Sequence, residues 1–88
     1  MKITFWPTAW QDYVEWQGDD QRTLAKLNTL LRECMRDPFR GLGKPEPLEG
    51  NLKGWWSRRI GHEHRLVYRV TGKGDAQALE VAQCRYHY

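Results

Sequence analysis

The stretch SRRIGHEHRLVYRV, residues 57–70, decides the architecture. Its second part, Leu66-Val67-Tyr68-Arg69-Val70, is rich in the β-branched and aromatic residues that suit a pleated strand. The nine residues before Leu66 bring three arginines, two histidines and a glutamate. Side chains alternate along a strand, so Leu66, Tyr68 and Val70 share one face while Arg65, Val67 and Arg69 share the other. A sheet with one apolar and one charged face is the antiparallel kind, covered by helices on one side only.

Working outward, residues 55–60 pair with residues 64–71 across a turn near Gly61. Gly72-Lys73-Gly74-Asp75 then turns the chain into a last strand over residues 78–86. Toward the N-terminus, Ile3 and Phe5 alternate with Lys2 and Thr4 in a short first strand that Pro7 stops. Thr8 and Gln11 form a capping box, and Trp10, Tyr13 and Val14 follow at helical spacing, which predicts a helix over residues 9–17. Gly18 breaks it. Asp19 or Asp20 caps a second helix, lined on one side by Leu24, Leu27, Leu31, Cys34 and Met35 and ended by Asp37-Pro38. A glycine- and proline-rich loop, residues 39–54, joins this helix to the strands, and a loop so long in a small domain is usually functional or disordered. The order β-α-α-β-β-β implies an α+β fold, with two N-terminal helices on one face of a mainly antiparallel sheet.

A chain of 88 residues makes one domain, residues 1–88, with a small core. No segment has the ~18–20 apolar residues of a membrane span, and MKITFWPTAW has no signal-peptide pattern, so a cytoplasmic protein is expected. Cys34 and Cys84 lack metal-ligand spacing and read as buried free thiols. The net charge of +3 is unevenly placed: residues 1–50 carry seven basic and eight acidic side chains, residues 51–88 seven and three. A basic C-terminal half suits an anionic partner, nucleic acid above all.

On the charged sheet face, three groups of residues have the chemistry to act on RNA. Lys44-Pro45-Glu46-Pro47 mounts one carboxylate between two prolines that restrict the backbone. Arg58, Arg59 and Arg65 offer planar, permanently charged forks that match phosphate oxygens, and Glu63 can orient one of them. At the end of the chain, Cys84-Arg85-Tyr86-His87-Tyr88 supplies an imidazole for proton transfer and aromatic rings for stacking on a base. His62 and His64, near the turn, read as solvated or hydrogen-bonded rather than catalytic. Trp55 and Trp56 face opposite sides of their strand, both expected to pack against the core. No cofactor or metal motif is present. RNA carries its own nucleophile, the 2′-hydroxyl, so cleavage needs only a base, an acid and cations around the phosphate.

GKPEPLEGNLKGWWSRRIGHEHRLVYRV with the terminal CRYHY closely resembles the YoeB toxins of the RelE/ParE superfamily, as does the Trp10, Tyr13, Trp16 pattern of the first helix. The resemblance implies a microbial-ribonuclease-like fold and a toxin that cleaves translated mRNA in the ribosomal A site without a metal. It implies a YefM-like antitoxin folded over the active face, a homodimer, and operator DNA bound through the antitoxin complex. Carried onto this chain, Glu46 looks like the general base, His87 the general acid and Arg65 the stabiliser of the transition-state phosphate. Arg59 and Glu63 resemble a supporting charged shell, and Tyr88 the aromatic that orients substrate. Arg58, Lys44 and Lys53 join the expected RNA contacts. Glu49 stands where family members can carry lysine and is left out of the site. The rival reading is a ParE-like toxin that binds a protein or nucleic-acid target without catalysis.

Overall fold

The computed structural model describes residues 1–86. Its order is β1 (Lys2–Phe5), α1 (Pro7–Asp19), α2 (Gln21–Arg36), β2 (Glu46–Pro47), β3 (Trp56–Arg59), β4 (Arg65–Thr71) and β5 (Ala78–Gln83), with single 3-10 turns at Gly50–Leu52 and Gly74–Ala76. The strands form one sheet in the order β1-β5-β4-β3-β2. β1 runs parallel to β5, and the other pairings are antiparallel. The α+β fold is as expected, with β2 an added two-residue strand inside the long loop.

The helix boundaries differ from expectation for local reasons. α1 starts at Pro7, whose missing N–H costs nothing in the first turn, and the N-cap is Trp6 with no side-chain cap bond. The Thr8–Gln11 capping box is therefore not formed. Gly18 lies within the last turn of α1, and the break falls at Asp20, whose extended backbone closes α1 and opens α2. Its carboxylate accepts from the N–H groups of Arg22 and Thr23 and from the Thr23 hydroxyl. α2 ends at Asp37, the residue before Pro38, as the sequence predicts.

The core lies between the helices and one sheet face. Trp16, Leu24, Leu27, Leu30, Leu31 and Cys34 from the helices meet Leu66, Tyr68, Leu79 and Val81 from the strands, and Trp56 packs at its edge. The opposite face is not fully open. Leu48, Leu52 and Trp55 fold back over Val67 and bury it, because leaving a valine and a tryptophan side by side in water would forfeit a large apolar contact. Arg69, expected to look into solvent, lies over the Trp55 ring at 4.3 Å and pairs with Glu80 at 2.9 Å. β5 ends at Gln83, and its register against β4 shifts between Val67 and Tyr68. Both cysteines are buried and free; burial pushes the Cys34 thiol up to about 11 and the Cys84 thiol up to about 12.

Candidate active site

The loop carrying Glu46 is laid along β3 by backbone bonds. Arg59 N–H donates to the Gly43 carbonyl at 2.6 Å, Glu46 and Pro47 pair with Ser57 and Trp56, and Leu48 N–H donates to Trp55 at 2.9 Å. Lys44 takes a left-handed conformation, φ 52°, which turns the chain into this short strand. The sequence KPEP therefore becomes the edge of the sheet. Paired residues share a face, so Glu46, Ser57, Val67 and Gln83 form one row across four strands, and the Arg59–Arg65 pair lies beside it on the same face. Strand spacing puts the Glu46 and Arg65 backbones roughly 12 Å apart, which a glutamate and an arginine can close onto one phosphate group.

Arg65 is held from the hairpin it begins. Its Nη1 donates to the carbonyls of Gly61, His62 and His64 at 2.9, 3.3 and 3.0 Å, so the guanidinium braces the turn. Arg59 and Arg65 line a cleft of about 390 Å³ with Lys26, Gly61 and His62. No carboxylate lines it, which favours an anion there. Lys26 was missed by sequence reasoning, since an exposed lysine on the polar side of α2 carries no signal until the helix packs beside the hairpin.

The chain end returns to the same place. Arg65 N–H donates to the Tyr86 carbonyl at 3.0 Å, and Tyr86 N–H donates to His64 Nδ1 at 2.8 Å. The segment before it is fastened to α1: Cys84 N–H donates to Asp12, the Trp16 indole to the Cys84 carbonyl, and Arg85 to Glu15 and Asp19. Desolvation raises the Asp12 carboxyl above its ordinary 3.8, partly offset by that Cys84 N–H. His87 and Tyr88 lie outside the described residues.

Arg58 departs from its expected role as an RNA contact. It is fully buried on the helix side of the sheet, donating to the Tyr68 hydroxyl and to the carbonyls of Asp37, Arg40 and Leu42. Strand alternation sends it to the face opposite Ser57 and Arg59, where it ties the loop to the end of α2. Glu63 lines a second cleft with His64, Arg85 and Tyr86 rather than the one holding Arg59 and Arg65. Lys44 and Lys53 are exposed on the loop, as is Glu49. Among the described residues, no three His, Cys, Asp or Glu side chains gather as a metal-binding group.

The family model for the YoeB-like toxins of bacterial type II toxin-antitoxin systems matches residues 5–88. The chain belongs to this family. It is 51% identical over 88 residues to Toxin YoeB of Streptomyces coelicolor and, equally, to that of Escherichia coli, each match spanning both chains in full. A solved YoeB/ParE toxin from Agrobacterium tumefaciens is 56% identical and superposes with a TM-score of 0.95 over all of both chains. The YoeB dimer from Staphylococcus aureus is 45% identical with a TM-score of 0.86, covering 100% of this chain and 98% of that one. The chain is thus a toxin of a type II toxin-antitoxin system. As a YoeB-like toxin it has no described helix long and apolar enough to cross a membrane.

Proposed function

We propose that the chain is a ribosome-dependent endoribonuclease that cuts mRNA in the A site by metal-free acid-base chemistry. The observation that carries this reading is the bond from Arg65 N–H to the Tyr86 carbonyl, which ties the last described residue to the arginine facing Glu46 across the sheet. Glu46 and Arg65 thus share one sheet face, and the segment that leads to His87 is tied by its backbone to the start of the strand that carries Arg65.

In this mechanism Glu46 removes the proton of the 2′-hydroxyl, and the oxygen attacks the adjacent phosphorus. Arg65, with Arg59 beside it, stabilises the extra negative charge on the phosphorane. The bond from phosphorus to the 5′-oxygen breaks, leaving a 2′,3′-cyclic phosphate, and His87 gives the departing oxygen its proton. Tyr88 orients the substrate, while Lys44 and Lys53 contact the RNA backbone from the loop and Glu63 belongs to the surrounding charged shell. Exposed Glu46 and half-buried Arg65 leave the face accessible to a strand of RNA.

A Staphylococcus aureus relative, 46% identical, has been solved as a heterotetrameric YoeB-YefM complex, and another as a dimer. By this likeness the chain is neutralised by a YefM-like antitoxin, forms a homodimer and reaches operator DNA through the antitoxin. Trp10 and Val14, exposed on α1, give it an apolar surface for such contacts. A toxin that acts on translating ribosomes works in the cytoplasm.

The test adds antitoxin-free protein to ribosomes paused on a defined mRNA, with free RNA in parallel, and maps new 5′ ends. Cuts confined to the A-site codon, and reduced about 10²–10⁴-fold in Glu46→Gln and His87→Gln, support the mechanism. Toxicity that survives both substitutions without any cleavage would instead mark a ParE-like binding toxin.

A further inference from the structure

The strongest unassigned feature is the imidazole of His64, which touches no part of the proposed RNA path yet meets the chain end directly. Its Nδ1 accepts the Tyr86 N–H at 2.8 Å, while the next residue, Arg65, donates its N–H to the Tyr86 carbonyl at 3.0 Å. Two consecutive residues, His64 just before β4 and Arg65 that opens it, therefore hold both backbone polar atoms of one residue. Tyr86 is held in a left-handed conformation, φ 62°, which a non-glycine residue adopts only when its surroundings enforce it.

The ring itself cannot drift. It stands edge-on to the buried Trp16 indole, centroids 4.8 Å apart at 89°, and packs against the Tyr86 ring at 5.2 Å. Trp16 is in turn fixed by its bond to the Cys84 carbonyl. The chain thus leaves α1's grip at residues 84–85 and passes at once into the grip of residues 64–65.

We infer that His64 is a positioning residue for the cleavage reaction, acting through Tyr86 to aim the peptide that leads into His87; the inference rests on the ribonuclease reading above. The accepting atom is the point of chemistry. An imidazole that accepts at Nδ1 carries its proton on Nε2, so the tautomer is set by the Tyr86 N–H. Loss of the acceptor frees the Tyr86 amide without removing any group from the RNA face. Displacement of a reacting group by about 1 Å can cost on the order of 10²-fold in rate.

Two substitutions separate positioning from bulk. His64→Asn keeps an acceptor oxygen where Nδ1 stands, whereas His64→Leu fills space between Trp16 and Tyr86 but accepts nothing. In single-turnover cleavage on paused ribosomes, His64→Leu should fall about 10–100-fold in rate at saturating ribosomes, with little change in half-saturation, and His64→Asn should recover most of the loss. Independently of any variant, the nitrogen-15 spectrum of the wild-type protein should show Nδ1 unprotonated and the Tyr86 amide exchanging slowly. Wild-type cleavage with an undiminished His64→Leu rate overturns the inference, as does a protonated Nδ1 or a fast-exchanging Tyr86 amide. Equal failure of the Asn and Leu variants overturns it too. Absence of cleavage by the wild type, with the nitrogen-15 result as expected, refutes the ribonuclease reading and leaves His64 as an anchor of the chain end.

Discussion

Replacing Arg58 by methionine should cost this protein about 3–4 kcal/mol of stability. The guanidinium is fully buried and serves four acceptors: Nε reaches the Tyr68 hydroxyl at 3.0 Å, Nη1 the Leu42 carbonyl at 3.0 Å, and Nη2 the carbonyls of Asp37 and Arg40. The positive charge is balanced by carbonyl dipoles, with Asp37 closing α2 so that the cation sits at the negative end of the helix. Methionine matches the stem but strands the acceptors. Each buried polar group left without a partner costs ~1–3 kcal/mol. Asp37, Arg40 and Leu42 are exposed residues whose carbonyls can relax toward water, and the Tyr68 hydroxyl keeps its bond to the Pro38 carbonyl, so each of the four acceptors bears the low end of that penalty, about 1 kcal/mol.

For a chain of this size that loss lowers Tm by roughly 12–30 °C, at ~4–8 °C per kcal/mol. Total stability of about 4–13 kcal/mol is expected from length, so the variant should lose its fold only if the total lies near the bottom of that range. Urea unfolding followed by fluorescence of the five tryptophans measures the difference. Arg58→Lys should lie between, because one ammonium carries three donors and lacks the planar fork. A loss below 1 kcal/mol in Arg58→Met, or wild-type stability in Arg58→Lys, would refute the reasoning.

Gly43→Ala should destabilise the same corner, since an added Cβ would lie 2.9 Å from Leu30 Cδ2 and 3.1 Å from the Arg59 carbonyl at φ 83°; thermal unfolding checks it, and unchanged Tm counts against the packing described. Hydrogen bonds from the Thr23 hydroxyl and N–H hold the Asp20 carboxyl below 3.8. Its support of α2 should therefore be complete above that pH and lost as pH falls through the lower folded value, whereas Asp20→Ala should show less acid dependence in unfolding titrations. A C-terminal tag should slow cleavage more than an N-terminal one, because Tyr86 is held beside Arg65; equal rates in parallel assays would contradict that docking.

The outline of the fold was legible because its signals are local. Leucine spacing marks α2, Asp20 and Asp37-Pro38 mark its ends, and the alternation in RLVYRV marks β4. The Thr8–Gln11 pattern misled because Pro7 offers a first helical turn that needs no side-chain cap. Arg58 misled for a different reason. In SRRI the alternation alone separates Arg58 from Arg59, but which face receives helices, and whether a buried arginine finds enough carbonyls, depends on residues 37–42 folding back from α2.

By itself the sequence determined the α+β class, the toxin family, and the residue types suited to a base, an acid and phosphate-binding cations. Those follow from periodicity and motif, which are properties of neighbours along the chain. Tertiary structure alone decided that β1 lies parallel to β5, that Lys26 joins Arg59 and Arg65 around one cleft, and that Tyr86 returns to His64 and Arg65. Each joins segments between about twenty and eighty positions apart, and only burial of the shared core and satisfaction of its backbone polar groups selects such pairings.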